Sequence, residues 1–133
     1  MGIALSTSLA TGFDDAVART RKALTDQGFG VLTEIDVAAT VKAKLGADME
    51  DYLILGACNP VLAHRAIGLD REIGLLLPCN VVVRADPDAP GIVIVEGMNP
   101  GVLVQVTGNK DLVAVADEVT ARLGAAIGSL SGG

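Results

Sequence analysis

Cys79-Asn80-Val81-Val82-Val83-Arg84-Ala85-Asp86-Pro87-Asp88-Ala89-Pro90-Gly91-Ile92-Val93-Ile94-Val95-Glu96 is the stretch on which the fold turns. Two runs of β-branched residues flank a segment rich in Asp, Pro and Gly, the composition of a turn. The spacing predicts an antiparallel hairpin over 79–96, and Asn99-Pro100-Gly101 ends it. Working upstream, Tyr52 to Ala57 is a short continuous apolar run that reads as a central strand. Val31, Thr33, Ile35 and Val37 alternate with Leu32, Glu34 and Asp36, the pattern of a half-buried strand. Residues 2–9 read as a first strand, with Ile3 and Leu5 on one face.

Helices fill the intervals. Thr11-Gly12-Phe13-Asp14 has the form of a capping box, and Phe13, Val17, Thr20 and Leu24 follow at helical spacing, so a helix is expected over about 12–27 with Gly28 as its left-handed stop. Asp36 caps a short helix over 37–45, ended by Gly46. Asn59-Pro60 is an N-cap followed by proline at the first helical position, opening about two turns that run to near Gly68. Asn109 caps a last helix whose apolar stripe is Leu112, Val115, Ala116, Val119, Leu123 and Ile127. Val102, Val104 and Val106 alternate as in a strand. The expected fold class is α+β: one mostly antiparallel sheet with helices on one face. Residues 1–133 form a single domain, with a core of about 3–127 and a frayed tail at 128–133.

Composition excludes several functions. The formal net charge is −6 and the aromatics are Phe13, Phe29 and Tyr52 alone. Phosphate backbones need a basic surface and bases need stacking partners, so no nucleic acid is expected; an anionic membrane surface is excluded on the same charge. No apolar run approaches the roughly 18 residues that span a bilayer. Met1-Gly2-Ile3-Ala4-Leu5-Ser6 fits the myristoylation pattern, but the plainer reading is a first strand. The two cysteines do not make a secreted disulfide framework, and a cytoplasmic location is expected.

Three stretches together are specific: Gly28-Phe29-Gly30-Val31-Leu32-Thr33-Glu34-Ile35-Asp36-Val37, Leu55-Gly56-Ala57-Cys58-Asn59-Pro60, and Gly74-Leu75-Leu76-Leu77-Pro78-Cys79-Asn80-Val81-Val82-Val83. In order and without large insertions, over about 3–127, they resemble the bacterial and archaeal domain-of-unknown-function family numbered 302. The resemblance implies a TBP-like fold of the β-α-β(4)-α type and a homodimer. It also implies a short helix at 100–107, against the strand that the valine alternation suggests. It implies no reaction.

The residues that could carry chemistry are few. Cys58 ends one predicted strand and Cys79 begins another. His64, the single histidine, stands one turn into the helix that follows Pro60. Convergence of Cys58, Cys79 and His64, with Met98 adding a thioether, would suit Zn²⁺, Cu⁺ or a similar thiophilic ion, or else a redox thiol pair. The plain alternative is that both cysteines are small buried hydrophobes. Asn59 is most simply a cap. Asn80 enters a polyvaline strand, where an amide needs a partner strand, a second subunit or a ligand. Glu34 and Asp36, beside Asp48, Glu50 and Asp51, read as a solvated acidic edge. No phosphate loop, dinucleotide fingerprint or nucleophile elbow is present, which argues against an enzyme. Two functions follow as expectations. One is a thiol-based or soft-metal module built on Cys58 and Cys79. The other is a non-catalytic dimeric binding module for a small apolar ligand or partner protein, with Val81, Val83, Ile92 and Ile94 as walls and Asn80 at the mouth. The dimer expectation comes from a sheet too apolar for one layer of helices to cover.

Overall fold

The computed structural model describes residues 2–131. The hairpin forms as expected, with β4 (Cys79–Ala85) and β5 (Ile92–Met98) antiparallel and Val83 opposite Val95. Its turn closes where the Asp86 side chain accepts from the Asp88 amide at 2.9 Å and Gly91 takes φ +83°. The other strands are β1 (Ala4–Ala10), β2 (Gly30–Asp36) and β3 (Tyr52–Cys58). They build one antiparallel sheet in the order β1-β5-β4-β3-β2.

Strand alternation sorts the sheet into two unlike faces. Leu55, Ala57, Val81, Val83 and Val95 are fully buried on the inner face. Over them lie α1 (Phe13–Asp26) and α5 (Val113–Leu130). Burying each Val or Leu contributes about 1.5–3 kcal/mol, so this layer is the main source of stability. Helix α1 presents Ala16, Thr20, Ala23 and Leu24, and the Thr20 hydroxyl is satisfied by the Ala16 carbonyl at 2.7 Å. The outer face carries half-buried Tyr52, Ile54, Val82, Ile92, Ile94 and Met98, with the exposed small side chains of Ala4, Ser6, Ser8 and Ala10 on β1. The chain order β-α-β(4)-α thus holds, with α2 (Val37–Leu45), α3 (Pro60–Leu69) and α4 (Gly101–Thr107) added in the connections.

Several expectations need correction. Helix α1 is capped at Gly12 without a side-chain hydrogen bond, and Thr11 instead donates to Asp15 at 2.8 Å. Residues 101–107 are helical rather than a strand. Pro100 starts the helix, Asn99 accepts from the Gly101 amide at 3.1 Å, and Gly108 closes it at φ +65°. Strand β2 is not half-buried: it is an edge strand with a bulge between Val31 and Thr33, and Leu32 and Ile35 are exposed. Helix α5 runs through Leu130, which is buried, and the Ser131 and Thr7 hydroxyls bond at 2.7 Å, so the tail is not frayed at 128–131. Residues 1, 132 and 133 lie outside the described residues. Among the described residues, no helix is long and apolar enough to cross a membrane.

Candidate functional site

The two cysteines meet at one end of the core. Cys58 closes β3; Asn59 then caps α3 by accepting from the Leu62 amide at 3.2 Å, with Pro60 at the first helical position. Cys79 opens β4 directly across from Ala57. Both cysteines, with Asn59, Leu62, Leu77 and Leu103, line an apolar cavity of about 30 Å³. Burial pushes the Cys58 thiol up, and it pushes Cys79 up to about 11, with a further push from Cys58 nearby. Both are therefore protonated at neutral pH, and the N-terminus of α3 does not offset the loss of hydration.

The expected third and fourth ligands are elsewhere. Leu62 and Ala66 turn the buried side of α3 inward, and His64, two residues from each, is exposed. Met98 is on the outer face of the sheet, beside Asn80, whereas Cys79 is on the inner one. Among the described residues, no group of three His, Cys, Asp or Glu side chains is arranged to hold a metal ion. Two sulfurs without further donors do not fit the tetrahedral site that zinc requires. The expected convergence of Cys58, Cys79, His64 and Met98 is thus not formed.

The expected cleft between sheet and helices is also corrected. Val81 and Val83 are fully buried in the core, while Ile92 and Ile94 are on the opposite, outer face. The open concavity is on that outer face. A groove of about 420 Å³ runs over Val82, Met98 and Gly97, between Ile3 and Val102 at one end and Tyr52 at the other. Asn80 and Glu96 complete it. Glu96 is bonded to Arg84 at 2.7 Å, a cross-strand pair that holds the guanidinium charged. Asn80 is exposed and Gly56 stands opposite it, so β3 offers the amide no side chain as partner.

The acidic residues are accounted for by structure. Asp36 caps α2 by accepting from the Ala39 amide at 2.9 Å; Glu34 pairs with Arg21 and Asp48 with Lys42, both at 2.8 Å. Sequence reasoning missed Tyr52, Val82, Arg84 and Glu96 as groove residues. The available signal was the hairpin register, which sets Glu96 diagonally across from Arg84.

No curated protein matches this chain. A solved structure is similar: the crystal structure of an uncharacterized conserved protein from Bacillus stearothermophilus, at 27% sequence identity and a TM-score of 0.87, covering 96% of this chain and 98% of that one. That protein carries the same domain of unknown function. With the family model matching residues 5–130, nearly the whole length, the chain belongs to the family "Domain of unknown function DUF302".

Proposed function

We propose that this chain is a non-catalytic binding module that works as a homodimer, its outer sheet face closing against a second copy around a small apolar ligand. The observation that carries this reading is the outer face itself. Ile54, Val82, Ile92, Ile94 and Met98 stand on it half-buried, with no helix laid across them. Ala4, Ser6, Ser8 and Ala10 keep the β1 side of that face low, so a second sheet can approach to about 10 Å. The near-absence of ionised nucleophiles or paired catalytic acids favours binding over catalysis. Light scattering at micromolar concentration is expected to give twice the 13.5 kDa chain mass. Ile94→Asp, which sets a charge in the middle of the contact, is expected to return it to the chain mass with the fold intact by circular dichroism. A wild-type monomer would refute the dimer.

A second reading keeps the cysteines as a thiol or soft-metal site, because both line one cavity. Freshly purified protein would then carry stoichiometric zinc or copper by elemental analysis, or two thiols that react within minutes at neutral pH. Metal-free protein with two thiols that react only after denaturation would leave Cys58 and Cys79 as packing residues.

A further inference from the structure

We infer that the outer-face groove takes an uncharged, largely apolar molecule that presents an amide-like edge to Asn80. The inference rests on the binding-module reading and names its ligand. A volume of about 420 Å³ falls in the range of small-molecule sites. Val82, Met98, Val102 and Ile3 supply apolar walls, and Ile3 is 77% exposed with nothing covering it.

Charge decides the class of guest. The one acid in the lining, Glu96, is already bonded to Arg84 at 2.7 Å. An anionic or cationic guest would therefore give up hydration without gaining an unmatched counter-charge, whereas a neutral guest loses little. Asn80 supplies the polar contact. Its amide offers both donors and an acceptor and makes no side-chain hydrogen bond to any described residue. Gly56 on one side has no side chain, and Met98 on the other is a thioether. A carboxamide or a lactam-type ring edge matches that donor–acceptor pattern with two hydrogen bonds. Tyr52 bounds the far end of the groove, two same-face rungs along the sheet from Asn80, roughly 13 Å at strand spacing, so an elongated bicyclic guest fits better than a compact one.

The test uses three probes of one shape: 2-naphthamide, 2-naphthoate and 2-methylnaphthalene. Each is titrated into ¹⁵N-labelled full-length protein, with light scattering on the same samples. Naphthamide is expected to bind roughly tenfold more tightly than either of the others, the scale of one well-made polar contact, and to shift the Asn80 side-chain amide resonances. Asn80→Leu is expected to bring naphthamide down to the affinity of methylnaphthalene while leaving methylnaphthalene unchanged. Met98→Ala is expected to weaken all three. Equal affinity for the three probes, no binding by any of them, or an Asn80→Leu variant that binds naphthamide as well as wild type would overturn the inference. A dimer that ignores naphthamide sinks the inference and leaves the dimer standing. A monomer that binds naphthamide through Asn80 sinks the dimer and leaves the inference standing.

Discussion

Cys79 is 6% exposed and ionises at about 11, where an unburied thiol ionises near 9.0. The folded chain therefore holds this proton more tightly than the unfolded chain does. Stability from the neutral thiol is complete below pH 9 and is lost as the pH climbs from 9 towards 11. The slope in that window is about 1.4 kcal/mol per pH unit for one group, or on the order of 2–3 kcal/mol across it. Urea unfolding at pH 7.5, 9, 10 and 11 checks this against Cys79→Ala. The variant is expected to be the less stable protein at pH 7.5, because it loses buried volume. Its deficit is expected to shrink steadily towards pH 11, because it has no thiol to ionise. A deficit that stays constant with pH would mean that Cys79 titrates as an ordinary thiol. The cysteine pair was legible in the sequence because both flank the excursion between β3 and β4. What was not legible was parity. Cys79, Val81 and Val83 alternate with Asn80 and Val82, but alternation alone does not say which set meets the helices. That choice moves Asn80, and with it Met98, to the far side of the sheet from Cys79.

Element packing depends on a close approach of α5 to β5. A Cβ built on Gly97 would stand 2.7 Å from Ile127 Cδ1 and 3.1 Å from Leu123 Cδ2. Both side chains are buried, Leu123 completely, so neither has room to turn away. Gly97→Ala is expected to cost about 1–3 kcal/mol by overpacking, read as a lower urea midpoint with an unchanged slope. A midpoint equal to wild type would show that α5 can lift off the sheet at no cost. The stripe from Leu112 to Ile127 made α5 legible, and Asn59-Pro60 made α3 legible, since periodicity and caps are local signals. Helix α4 was not legible by the same means. Val102, Val104 and Val106 repeat every second residue, yet Asn99-Pro100 turns the chain into a helix and Gly108 closes it. Only Leu103 needs burial there, and one buried position sets no period. Strand β2 misled in the opposite sense. Its alternation is genuine, but as the last strand of the sheet it extends past the cover of α1 and α5, so the apolar Ile35 is left half in water.

On the scale of the whole molecule, the proposed dimer sets two chains of formal charge −6 against each other. The outer face offers little ionic attraction in return. Arg84 and Glu96 satisfy one another within a chain at 2.7 Å, and the surrounding Ser6, Ser8, Asn80, Ile92 and Ile94 are uncharged. Association would then be driven by apolar burial and opposed by long-range repulsion between the acidic surfaces beyond the contact. Salt separates the two terms. The screening length is about 10 Å at 0.1 M and about 3 Å at 1 M, so added sodium chloride weakens the repulsion between the rims and leaves the apolar contact in place. The dimer dissociation constant, measured by sedimentation equilibrium, is expected to fall several-fold between 20 mM and 500 mM salt, on the order of a kcal/mol of relieved repulsion. A contact made by the basic residues of one copy with the acids of the other would behave in reverse, because salt would screen the attraction. If the dimer loosens as salt is raised, the outer sheet face is not the contact, and the two chains meet through their charged helical surfaces instead.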